Sequence, residues 1–178
     1  MNRATPIPFV LLAIFAVAAL FVPGFGTELP EKEPLNTGDT AWMLTASALV
    51  LLMTPGLSFF YGGMVSFKNV VSTMLQSVIA LGVISLVWVA VGFSLAFGSD
   101  LGGLHIIGDP RTFFMFDGVG AKTSELSPTI PLLVFAMFQL KFAIITPALI
   151  TGSFAERVRF SAYLLFMVLF SLIIYCPL

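Results

Sequence analysis

The chain has 178 residues, of which 58% are apolar and 10% charged, with a mean hydropathy of +1.05. Soluble globular domains carry about 25% charged residues, so this composition excludes one. A formal net charge of −1, with no basic run interleaved with aromatics, excludes nucleic acid as a partner. A single cysteine, Cys176, rules out an intrachain disulfide, and a single histidine, His105, leaves no basis for a His-based metal site. No CxxC, HExxH, Walker or GxSxG run points to an enzyme. What remains is an all-α polytopic membrane protein.

In chain order, Met1-Asn2-Arg3, the apolar run Ile7 to Val22 and Pro23-Gly24-Phe25-Gly26 have the layout of a signal peptide over 1–26. The same run can also be read as an uncleaved transmembrane helix slightly below the usual ~20 residues. Residues 27–39 carry Glu28, Glu31, Lys32, Glu33 and Asp39 with Pro30 and Pro34, a polar extracytoplasmic lead-in. Thr40 to Phe67 is free of charge and predicts a first mature helix, with Asp39-Thr40 as its N-cap and a break or kink at Pro55-Gly56. Phe59-Phe60-Tyr61-Gly62-Gly63 near its end suits a helix–helix contact or a vestibule wall. After a turn at Lys68-Asn69, a second helix spans 70–99, with Gln76 either bonded across the bundle or lying at its interface. Asp100 to Pro128 is a loop rich in turn residues, with room for a short surface helix. Its Phe113, Phe114 and Phe116 either rest on the membrane interface or roof the bundle. A third helix covers 129–152, with Pro147 inside it, and a fourth covers 160–178.

The third helix and its exit are the most informative stretch. Phe135, Phe138 and Phe142 are spaced to share one helical face, and Lys141 lies among them. Aromatic stripes are ordinary in membrane helices, so lipid-facing or core packing is the plain alternative to a lined path. The tight connectors carry Lys68, Arg157 and Arg159 against a single acid, Glu156, whereas the opposite side is acid-rich. Short cytoplasmic loops collect Lys and Arg, so the mature N-terminus is expected outside and the third helix runs outside to inside. Lys141 can then snorkel outward. His105 reads as a solvated loop side chain. Glu156 with Arg157 and Arg159 reads as a topology anchor and a helix-end salt-bridge set.

Four stretches together resemble the Amt-type ammonium transporters of the ammonium transporter/methylammonium permease/Rhesus superfamily. They are Gly38-Asp39-Thr40-Ala41-Trp42, LLMTPGLSFFYGGMV at Leu51 to Val65, KNVVSTMLQS at Lys68 to Ser77, and FQLKFAIITPALITGSFAERVRFSAYLLF at Phe138 to Phe166. The resemblance implies an eleven-helix inverted-repeat transporter fold assembled as a homotrimer, to which this chain contributes four transmembrane helices. It implies that Phe142 is a gating ring beneath an outer ammonium site, that Phe138 is its aromatic companion a turn above, and that Gln139 is a polar position nearby. Phe60 and Tyr61 resemble the cytoplasmic vestibule, while Lys141 matches no outer-site position. The implied activity is recruitment of ammonium, its deprotonation, and conduction of ammonia through an apolar pore in the inner (plasma) membrane, with no cofactor or metal. Since the chain stops inside its fourth helix, it is expected to be a fragment, inactive without the missing C-terminal helices of the same protein. A cytoplasmic PII-type regulator is a further implied partner. The alternative is an ammonium-sensing membrane module of a signal-transduction protein, distinguished by a signalling domain beyond Leu178.

Overall fold

The computed structural model describes residues 35–103 and 106–177, together with Val10, Ile14 and Val17, which are helical. The remaining signal-peptide and lead-in positions and His105 lie outside the described residues. Among the described residues, three helices are long and apolar enough to cross a membrane: α1 (Thr37–Met64), α2 (Phe67–Phe97) and α3 (Leu132–Phe154). A shorter apolar helix, α4 (Phe160–Tyr175), comes next. At 1.5 Å per residue, α1 and α2 exceed the ~30 Å hydrocarbon thickness.

The first helix starts three residues earlier than its charge-free run, because the cap is Asn36 and not Asp39. The Asn36 Oδ1 accepts from the backbone N–H groups of Gly38 (2.8 Å) and Asp39 (3.2 Å). Asp39 then lies in the first turn, where its charge complements the helix dipole. The expected break at Pro55-Gly56 does not occur, and α1 runs on to Met64. Proline is tolerated in a membrane helix when neighbouring helices support it, and α1 has such support along one stripe. Thr54, Ser58 and Gly62, each four residues apart, are its buried positions. Ser58 Oγ donates to the Met74 carbonyl of α2 at 3.0 Å. At Gly62 a Cβ would stand 2.9 Å from Met74 Cγ, so glycine permits the close crossing.

The second helix buries Thr73, Ser77, Ala80, Ile84 and Trp88, then passes through a π segment at Trp88–Gly92 before resuming as Phe93–Phe97. Such a segment inserts an extra residue into the ladder, which turns both Trp88 and Phe93 inward. The Trp88 indole N–H donates to the Ala136 carbonyl of α3 at 3.2 Å. Around these two rings pack Phe97, Phe113, Phe116, Phe135 and Tyr175, with centroid separations of 5.2–6.5 Å.

The loop after α2 is anchored rather than loose. Buried Ser94 Oγ donates to the Asp109 carbonyl (2.7 Å) and accepts from the Phe113 N–H (3.0 Å), so one hydroxyl satisfies two loop groups. Phe113 and Phe116 therefore roof the bundle, whereas Phe114 is exposed. The orphan donors at the start of α3 are met by loop carbonyls: Leu132 N–H reaches Lys122 (2.9 Å) and Leu133 N–H reaches Gly120 (3.1 Å). Asn36 N–H donates to the Thr129 carbonyl at 2.9 Å, which ties the start of α1 to the approach of α3. At the other end, fully buried Tyr163 of α4 donates to the Gln76 carbonyl and receives from Thr151 Oγ1, both at 3.3 Å. That junction joins α2, α3 and α4, and it is the Gln76 backbone that takes part.

Candidate substrate path

The third helix buries Ala136, Leu140, Ala143, Ile144, Pro147, Ala148 and Thr151 on one broad arc, while the opposite arc carries half-buried Phe138, exposed Phe142 and Leu149 and, beside them, buried Ile145. Phe138 and Phe142 pack edge to face, with centroids 5.2 Å apart and an interplanar angle of 66°. Phe142 is 37% exposed, and Phe138 and Gln139 are half-buried. Two ring faces with a neighbouring amide offer a small cation electrostatic attraction without a formal anion.

Phe135 departs from the expected three-ring ladder. Its ring packs on Phe97 at 5.2 Å and Phe93 at 6.5 Å, so it belongs to the roof cluster. Spacing placed its Cα on the shared face, but the aromatic cluster of α2 captured the side chain. Lys141 is half-buried on α3.

The second pair of candidates, Phe60 and Tyr61, sits at the far end of α1 with ring centroids 5.4 Å apart. Phe60 is exposed, whereas the Tyr61 hydroxyl donates to the Leu149 carbonyl of α3 and is already committed. Gly152 makes that contact possible, because a Cβ there would run into the Tyr61 ring. The structure thus forms two separate groups, the Phe138–Phe142 pair with Gln139 on α3 and the Phe60–Tyr61 pair on α1, the latter seated on α3 through the Leu149 carbonyl.

Below Tyr61, Glu156 does not pair with Arg157 or Arg159 as the sequence suggested. Its Oε1 accepts from Ser66 N–H (2.8 Å), Ser66 Oγ (2.6 Å) and Asn69 Nδ2 (2.9 Å). These bonds, Ser66 Oγ foremost and then Asn69, hold its carboxyl below the usual carboxylate range. The backbone of Glu156 is left-handed, with φ +66°. Ser66, Asn69, Gly152 and Glu156 were not legible as a set, because their link crosses 80 to 90 residues of chain and has no local spacing signature. Among the described residues, no group of three or more His, Cys, Asp or Glu side chains is placed to hold a metal ion.

Fold and surface together define an all-helical, multi-spanning membrane protein with an aromatic pair on an open helix face. The model of the Ammonium Transporter Family matches residues 41–178, and the chain belongs to that family. It is 46% identical over 154 residues to an ammonium transporter of Mycobacterium bovis, an alignment covering 79% of this chain and 32% of the relative. The crystal structure of Saccharomyces cerevisiae Mep2 superposes with a TM-score of 0.72 at 34% identity, covering 81% of this chain and 31% of Mep2. A solved structure described as a sensor Amt protein superposes with a TM-score of 0.68 at 27% identity, covering 78% of this chain and 32% of that one. The chain therefore spans about a third of the length of the relatives it matches.

Proposed function

We propose that this chain forms part of an ammonium transporter subunit in which Phe138 and Phe142 receive the cation at the outer end of the path. The observation that carries this reading is the edge-to-face Phe138–Phe142 pair on the face of α3 opposite its packed arc. Each ring face contributes about 0.5–2 kcal/mol of cation–π attraction, more as water is removed. Gln139 supplies polar contact at the same level. Beyond Phe142 the arc continues as Leu149, and carrying an intact cation along such a surface costs several kcal/mol. On this reading ammonium gives up its proton at the aromatic site to a separate route outside Phe138, Phe142 and Gln139, none of which is a base, and ammonia crosses the apolar stretch toward Phe60 and Tyr61. The rest of the path wall comes from helices beyond the four described, so the segment alone conducts nothing.

The orientation follows from charge. Lys68, Arg157 and Arg159 face the cytoplasm, and Asp39, Asp100, Asp109, Asp117 and Glu125 face outward, in the inner membrane of the cell. The complete protein assembles as a homotrimer, with a PII-type regulator as its cytoplasmic partner. A second reading, an ammonium sensor joined to a signalling domain, draws on the likeness to the sensor Amt protein. Methylammonium uptake by cells expressing the full-length protein tests transport. Uptake above an empty-vector control is expected, and none from the full-length protein would favour the sensor.

A further inference from the structure

The connectors α1–α2 and α3–α4 are joined by one carboxylate in an unusual backbone state. Glu156 is a non-glycine residue at φ +66°, a region that L side chains rarely adopt and that persists only when surroundings over-determine it. What over-determines it here is the side chain. One oxygen, Oε1, collects three donors, two from Ser66 in the α1–α2 connector and one from Asn69 in the first turn of α2, and Asn69 Nδ2 also donates to Ser66 Oγ at 3.1 Å, closing the set on itself. The surrounding cations Lys68, Arg157 and Arg159 are all exposed, yet the carboxylate takes neutral donors on the other connector instead. Arg157 N–H bonds to the Phe154 carbonyl at 3.0 Å, so the turn that presents Glu156 is itself closed. A few residues further into the membrane lie the Tyr61 to Leu149 hydrogen bond and the Gly152–Tyr61 contact. The seam between α1 and α3 is thus held at two levels, one of them within the Phe60–Tyr61 region.

We infer that Glu156 is a positioning residue: it latches the two connectors together and so fixes the separation of α1 and α3 at the Phe60–Tyr61 end of the path. This deepens the proposed function and rests on it for the identity of what passes. Because the latch belongs to the exit end, its loss should slow passage without changing recognition at Phe138 and Phe142.

The discriminating substitution is Glu156→Gly, which removes the carboxylate while favouring the left-handed backbone. The companion variant, Ser66→Ala with Asn69→Ala, leaves Glu156 in place and removes its side-chain donors. In the full-length protein, spin labels at Lys68→Cys and Arg157→Cys report the spacing of the connectors, Cys176 being buried. Both variants are expected to broaden the inter-label distance distribution about twofold, as the connectors move independently. Both should also lower the Vmax of methylammonium uptake per inserted protein severalfold with KM unchanged, and Glu156→Gln should partly restore it. An unchanged distance distribution in both variants overturns the latch, whatever the protein transports. Broadening with unchanged Vmax overturns its role in passage. Absence of uptake by the unsubstituted protein counts against ammonium transport, and the distance distributions then decide the latch alone.

Discussion

Replacing Gly152 with alanine probes the contact that seats Tyr61 of α1 against α3. A Cβ at this position would collide with Tyr61 Cε1 and stand 2.9 Å from Cζ and 3.1 Å from the hydroxyl oxygen. The ring has little freedom to retreat, because its hydroxyl bonds to the Leu149 carbonyl and its flank packs on Phe60. Overpacking of this kind costs about 1–3 kcal/mol. If the ring swings away, the lost hydrogen bond adds about 0.5–1.5 kcal/mol. Against this, alanine is a better helix former than glycine by about 0.8–1 kcal/mol. With the hydrogen bond lost, the expected net effect is a destabilisation of about 0.5–3.7 kcal/mol. Thermal unfolding of the purified full-length protein should show a lower apparent Tm for Gly152→Ala. Combining it with Tyr61→Leu, which makes room, should recover part of the loss, a non-additivity that marks a direct contact. A Gly152→Ala protein as stable as the parent, or a strictly additive double variant, would refute the close packing of α1 on α3.

Ser94→Ala strips the Phe113 N–H of its partner, at about 1–3 kcal/mol for a buried group left unsatisfied, and removes one of the two donors of the Asp109 carbonyl, which keeps the Thr112 N–H. Limited proteolysis should then cut the 100–128 loop faster, and an unchanged rate would count against the anchored roof. Reporter fusions after Phe67 and Phe154 should be cytoplasmic and one after Gly118 external; an external signal at Phe67 overturns the orientation. Glu156 titrates with its carboxyl held low by Ser66 and Asn69, so its contribution is complete above the unfolded carboxyl range and is lost as pH falls through the folded value. Lys68, Arg157 and Arg159 are the charged groups around it, all exposed. The Lys68–Arg157 label spacing should therefore stay narrow at neutral pH and broaden only in acid, while Glu156→Gln shows no such transition.

Much of the fold was legible because membrane burial writes long charge-free runs, and α1, α2 and α3 fall on three of them within a few residues. Their ends moved for identifiable reasons. Asn36 captured the cap from Asp39, and loop carbonyls of Gly120 and Lys122 delayed the start of α3 to Leu132. Pro55 did not break α1, since the Thr54–Ser58–Gly62 stripe packs on α2 regardless of the local propensity. The Phe138–Phe142 pair followed from spacing, but Phe135 did not, because a ring's direction depends on partners that periodicity alone cannot name. The π segments at Trp88–Gly92 and Ser171–Tyr175 leave no composition signal, and they decide which rings point inward. Glu156 illustrates the same limit: nearby arginines suggested local pairing, whereas its partners lie on another connector.

The central claim, that the Phe138–Phe142 pair receives the permeating cation, is tested most directly by Phe142→Ala in the full-length protein. Phe142 is 37% exposed and lies outside the packed arc of α3, so its truncation should leave membrane insertion unaffected. Losing one ring face should weaken apparent affinity roughly 2- to 30-fold, the equivalent of about 0.5–2 kcal/mol, and change selectivity between ammonium and other monovalent cations. The measurement is methylammonium uptake and its competition by ammonium and potassium, normalised to protein in the membrane. Altered affinity or selectivity at normal abundance is the expected result. Uptake and selectivity identical to the parent, or a variant missing from the membrane, would contradict the account and return the pair to a packing role.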